Sequence, residues 1–69
     1  MMRWLRLRRM RRAFRALPEG DRAIFGSVRF DDLDYIATAR RHGCTVEEVE
    51  QTIARVLIAL GQAERGEQP

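Results

Sequence analysis

Gln51 and Arg55 stand four residues apart in the stretch TVEEVEQTIARVLIAL, a spacing that sets an amide and a guanidinium one turn apart on a helix. Such a pair can be directed together into a DNA groove, where a glutamine amide matches the edge of adenine; plain solvation is its other reading. Glu47 and Thr52 stand beside them, and a glutamate can accept from the amino group of cytosine. Arg40 and Arg41 precede this stretch and are candidates for phosphate contacts, as arginine forks pair bidentately with phosphate. Their other reading is a solvated basic face. A second basic group, Arg3, Arg6, Arg8, Arg9 and Arg12, lies at the start of the chain. We therefore take Arg40, Arg41, Glu47, Gln51, Thr52 and Arg55 as candidate DNA-binding residues and the early arginines as a phosphate-contact arm.

Catalytic chemistry finds no support, because no activated nucleophile or paired carboxylates can be recognised. The single cysteine, Cys44, and the single histidine, His42, supply too few soft ligands for a structural zinc site. Both read as packing or turn residues, and neither metal nor cofactor is expected. A lone cysteine forms no disulfide within the chain and implies a reducing, cytoplasmic compartment.

These residues need helices to position them. At 69 residues the chain makes one domain, able to bury only roughly 60% of its unfolded surface. The net charge of +3 conceals an asymmetry: the first 17 residues hold arginines and no carboxylate, while all ten acidic residues follow from Glu19 onward. Every one of the 13 basic residues is arginine, which fits a GC-rich genome as well as a selected chemistry.

Residues 1–16 predict an arginine-rich amphipathic first helix, with Leu7, Met10 and Phe14 on one stripe that continues to Leu17. Three readings of it stay open: docking on the core with a solvated basic back, phosphate contact, and attachment to a membrane surface. No segment approaches the ~20 apolar residues of a membrane span. Leu17-Pro18 stops this helix and starts the next, with Glu19 and Asp21 in its first turn and Ala23, Ile24, Phe25 and Val28 as its buried face. Asp31 and Asp32 are offered as the N-cap of a third helix beginning near Leu33. Gly43 supplies a tight turn, and Thr45 with Glu48 forms a capping box for the fourth helix, whose face is Val46, Val49, Ile53, Val56, Leu57 and Leu60. Residues 17–62 thus form the core, and 63–69 a frayed tail. The fold class is all-α, a four-helix helix-turn-helix domain.

From Leu17 to Leu60 the chain resembles region 4 of the sigma-70 factors, the promoter −35 recognition domain, and is most similar to the extracytoplasmic-function group. Leu17-Pro18-Glu19 with Arg22 matches the family's opening, Ile24 and Phe25 the apolar pair after it, and Leu33, Tyr35, Ala39 and Gly43 the first helix and turn of the helix-turn-helix. Val49, Ile53, Arg55, Leu57 and Leu60 match its recognition helix. No gap is needed across these residues. The resemblance implies binding to double-stranded DNA and contact with RNA polymerase or a sigma regulator.

Thr38 and His42 depart from the family, which has isoleucine and leucine there, so either Ile36 turns inward or Tyr35 and Ile36 present an apolar patch to a partner. Glu50 and Thr52 stand where relatives often carry lysine or arginine, which reduces the counterion-release contribution to DNA affinity. The domain with which a sigma factor binds core polymerase has no counterpart in these residues. The expectation is therefore a freestanding region 4-like regulator, or alternatively a sigma-like decoy or split-sigma partner that binds polymerase, an anti-sigma factor or another sigma regulator. Oligomeric state cannot be read from the sequence.

Overall fold

In the computed structural model, which describes residues 2–66, α-helices occupy Met2–Ala16 (α1), Glu19–Arg29 (α2), Tyr35–His42 (α3) and Val46–Arg65 (α4). The described residues hold no strand. α1 ends where expected, its last turn closed by the Leu17 amide donating to the Phe14 carbonyl at 3.2 Å. Pro18 is the N-cap residue of α2 and not its first helical residue; its carbonyl accepts from the Arg22 amide at 3.1 Å.

The cap of α3 is Asp34, whose carboxylate accepts from the Ala37 amide at 2.8 Å. The expected caps, Asp31 and Asp32, lie instead in the α2–α3 turn. Asp32 has a left-handed backbone with φ 60°, which short polar side chains tolerate, and Asp31 is engaged by Arg41 at 2.6 Å. The Leu33 amide closes this turn on the Ser27 carbonyl at 3.1 Å.

Gly43 ends α3 at φ 64°, a region glycine occupies without the Cβ penalty. Thr45 then opens α4 with both halves of the capping box: the Glu48 amide donates to Thr45 Oγ1 at 3.0 Å, and the Thr45 amide donates to Glu48 Oε1 at 2.9 Å. α4 does not stop near Leu60 but runs to Arg65, with Gly66 as its left-handed cap at φ 77°, so residues 63–65 are helical and not frayed. Gly61 costs this helix only about 1 kcal/mol relative to alanine, and α1 packs against α4. Residues 67–69 lie outside the described part.

Phe25, Ala39, Val49, Ile53 and Val56 form the buried core, surrounded by Phe14, Leu17, Ile24, Val28, Tyr35, Cys44, Val46 and Leu60. Phe14 and Phe25 meet with ring centroids 5.8 Å apart, so α1 docks the C-terminal part of its stripe, Phe14 and Leu17, on the core, while Leu7 is exposed. Two predicted core positions face out. Ala23 is exposed while Ser27 is buried, because the buried arc of α2 runs through Ile24, Phe25, Ser27 and Val28. Leu57 is 55% exposed: each helical residue turns about 100° from the last, and the buried seam of α4 follows Val49, Thr52, Ile53, Val56 and Leu60.

Candidate nucleic-acid interface

α3, the Gly43 turn and α4 form the helix-turn-helix, and packing within it decides which side chains reach solvent. Glu47 and Gln51 are exposed one turn apart near the start of α4, on the side away from Val49, Ile53 and Val56. Thr52 is only 4% exposed, and its hydroxyl accepts from Arg55 Nη2 at 3.2 Å. It lies beneath the outward face, one position around the helix from Gln51. Arg55 is exposed but turned sideways, donating also to the Asp21 carboxylate of α2 at 3.2 Å. The expected Gln51–Arg55 pair is therefore divided: Gln51 points outward, and Arg55 braces α4 on α2.

The two arginines of α3 divide in a similar way. Arg40 is exposed and makes no ion pair with the described residues. Arg41 is held at 2.6 Å by Asp31 and lies 3.5 Å from Ser27 Oγ. Its neighbour His42 is fixed by the same serine, with Nε2 and Oγ 2.8 Å apart. Since the Ser27 hydroxyl donates to the Ala23 carbonyl at 3.1 Å, Nε2 is assigned as the donor to Oγ. Ser27, itself 3% exposed, thus ties the end of α3 to α2. Tyr35 packs on the core, whereas Ile36 is 57% exposed, so the apolar patch offered by α3 consists of Ile36 without Tyr35.

Electrostatics at the start of α4 follow from its cap. The Thr45 amide donating to the carboxylate, with help from the Thr45 side chain, holds the Glu48 carboxyl below its ordinary value. Glu48 is thereby occupied, which leaves Glu47 and Glu50 as the outward carboxylates of the first turns.

The arginine arm sits elsewhere. Arg6 is 3.9 Å from Glu64, the Arg9 guanidinium lies against Gly66, and Arg8 stacks 5.3 Å over the Trp4 ring. Arg3 and Arg12 are exposed. Glu64 is about 25 Å from Glu47 along α4, at about 1.5 Å per residue, and the molecule extends 40 Å in its longest direction. Arg6 and Arg9 of the arm therefore lie at the opposite end of α4 from Glu47.

Asp21, Ser27 and Asp31 position this surface, and no spacing in the sequence singles them out, because each acts on a residue of another helix. Among the described residues no group of three or more metal-ligating side chains occurs, and no helix there is long and apolar enough to cross a membrane.

The family model described as Sigma-70, region 4 matches residues 7–60. No curated protein and no solved structure matches the chain. The family match begins within α1 and spans the Leu-Pro boundary, the Gly43 turn and the core seam of α4 up to Leu60. Its members are DNA-binding helix-turn-helix domains of the transcription machinery, not enzymes. The chain belongs to the sigma-70 region 4 family, and α3, the turn and α4 are its helix-turn-helix.

Proposed function

We propose that the protein is a DNA-binding transcription regulator in which the start of α4 enters the major groove. The observation that carries this reading is the open surface formed by Gln51, Glu47 and Arg40, all exposed on consecutive elements of the helix-turn-helix. Gln51 is the base-reading side chain and Glu47 its neighbour on the same face. Arg40 contacts phosphate, as does Arg41 once it exchanges Asp31 for a phosphate oxygen. Arg55 and Thr52 hold α4 in register from the side. Arg3, Arg6, Arg8, Arg9 and Arg12 of the arm add phosphate contacts away from the bases read by Gln51, which stands about 20 Å from Glu64 along α4.

The reading is tested by fluorescence anisotropy with promoter-like and scrambled duplexes across a salt series. Affinity should fall steeply with salt, and Gln51→Ala should weaken the specific duplex more than the scrambled one. Arg3→Gln with Arg12→Gln should flatten the salt slope by about 0.9 for each phosphate that the arm no longer neutralises. Equal affinities for both duplexes, unchanged in Gln51→Ala, would overturn base reading.

A second reading rests on exposed apolar side chains. Ile36 is 57% exposed and Phe30 73%, and a groove of about 250 Å³ is lined by Leu7, Met10, Phe14, Phe25, Phe30 and Leu60. Ile36 on α3 and this groove of α1, α2 and α4 are separate features, and of the two the exposed Ile36 suits a protein-interaction module that binds RNA polymerase or a sigma regulator. Capture of a polymerase subunit or sigma regulator by the immobilised protein, abolished by Ile36→Asp, supports it; capture of neither removes it.

A further inference from the structure

The outward face of α4 changes character along its length. Glu47, Glu50 and Gln51 give way to Ala54, Leu57, Ile58 and Gly61, spaced by threes and fours on one stripe. Leu57 is 55% exposed and Ile58 61%, with the small residues Ala54 and Gly61 in the turns before and after them. Beyond Gly61, the Arg65 guanidinium reaches back along the same face: its Nη1 lies 3.5 Å from where a Cβ on Gly61 would stand. Between Val46 and Glu64 the sole cation is Arg55, which is directed at Asp21. Between Ala54 and Ile58 a phosphate finds no partner on this stripe, and its large aliphatic side chains are exposed.

We propose that this stripe pairs with the same stripe of a second copy, α4 antiparallel to α4, in a weak homodimer. The sequence of the stripe is complementary to its own reverse. With the two-fold axis between Leu57 and Ile58, Leu57 meets Ile58 of the second copy at the centre, and the small Ala54 meets Gly61 of the second copy on either side, where the two helices can approach. The same register sets Glu50 opposite Arg65 of the second copy, twice by symmetry, as an isologous contact requires. Arg65 already makes an interaction within its own chain, and Glu50 competes for it or shares it. Charge thus selects this register, with the exposed aliphatic side chains at its centre.

About four turns of one helix bury less than the about 800 Å² per partner of a standard interface, so the dimer exchanges with monomer. Gln51 lies at the edge of the paired region, so self-association covers the surface assigned above to DNA. That consequence rests on the DNA-binding reading, whereas the dimer itself does not.

Sedimentation equilibrium without DNA separates the two. From about 10 µM to about 1 mM protein, the mean mass should rise from monomer toward dimer with a dissociation constant on the order of 100 µM. Ile58→Asp, at an exposed position that leaves the core intact, should weaken association at least about tenfold. Glu50→Arg should weaken it about fivefold, and Glu50→Arg combined with Arg65→Glu should restore it to within about twofold. Circular dichroism establishes that each variant keeps its helix content. A wild-type protein that stays monomeric throughout overturns the proposal and leaves the stripe to a different protein. An Ile58→Asp variant that dimerises like wild type also overturns it, and a double swap that fails to restore association overturns the antiparallel register.

Discussion

Arg55 Nη2 donates to Asp21 Oδ1 at 3.2 Å and to Thr52 Oγ1 at 3.2 Å, which makes the one cation in the body of α4 a brace against α2. The Arg55 side chain is 58% exposed and that of Asp21 19%, so solvent screens the pair and its contribution is modest. A double-mutant cycle of Arg55→Ala and Asp21→Ala, followed by urea denaturation, should return a coupling of about 0.5–1 kcal/mol. A coupling near zero would show that the brace does not hold in solution.

This brace also marks where the sequence stops being legible. The Leu17-Pro18 break, the capping box at Thr45, the Gly43 turn, and Val49, Ile53, Val56 and Leu60 in the seam of α4 follow from rules that operate within one helix, and these appear as read. Predicted exposure failed at Thr52 and Leu57, because two adjacent arcs of α4 compete for one core and only the packing of α1 and α2 decides between them. Arg41 and Arg55 carry phosphate-binding chemistry in the sequence. Their carboxylate partners, Asp31 and Asp21, are 10 and 34 residues away, and no local pattern joins them. The caps moved from Asp31 and Asp32 to Asp34 because the left-handed turn at Asp32 delays the start of α3.

Ser27 joins three groups: its hydroxyl donates to Ala23, accepts from His42 and lies near Arg41. Ser27→Ala leaves the His42 donor without its partner in a partly buried site. The expected loss is about 1–2 kcal/mol, measured by urea denaturation, and His42→Ala in the Ser27→Ala background should add little to it. Full additivity of the two would contradict a direct bond.

Thr38 is fully buried at 0% exposure, and its Oγ1 has no hydrogen-bond partner. A hydroxyl in that position is a desolvation cost without return. Thr38→Val keeps the shape and removes the polar atom, and it should raise stability by about 1 kcal/mol in thermal or urea unfolding. A destabilised Thr38→Val protein would mean that the hydroxyl is satisfied after all.

Glu48 gives the helix-turn-helix an acid-sensitive cap. Its carboxyl lies lower in the folded chain than in the unfolded one, where a glutamate titrates near about 4.3, because the Thr45 amide and then the Thr45 side chain favour the charged form. The stabilisation is therefore complete above the unfolded value and is lost as pH falls through the lower, folded one. Melting temperatures of wild type and Glu48→Gln should differ at neutral pH, and the difference should shrink as pH falls below the unfolded value. A difference that stays constant with pH would show that the ionised carboxylate contributes nothing to the cap.

The central claim, that the start of α4 reads DNA, is tested most directly by heteronuclear NMR with a promoter-like duplex titrated into labelled protein. Shift changes are expected at the backbone amides of Arg40, Glu47 and Gln51 and at the Gln51 side-chain amide, with the α4 changes abolished in Gln51→Ala. Changes confined to Arg3, Arg6, Arg8, Arg9 and Arg12, with the start of α4 silent, would contradict the claim and reduce the DNA contact to charge alone.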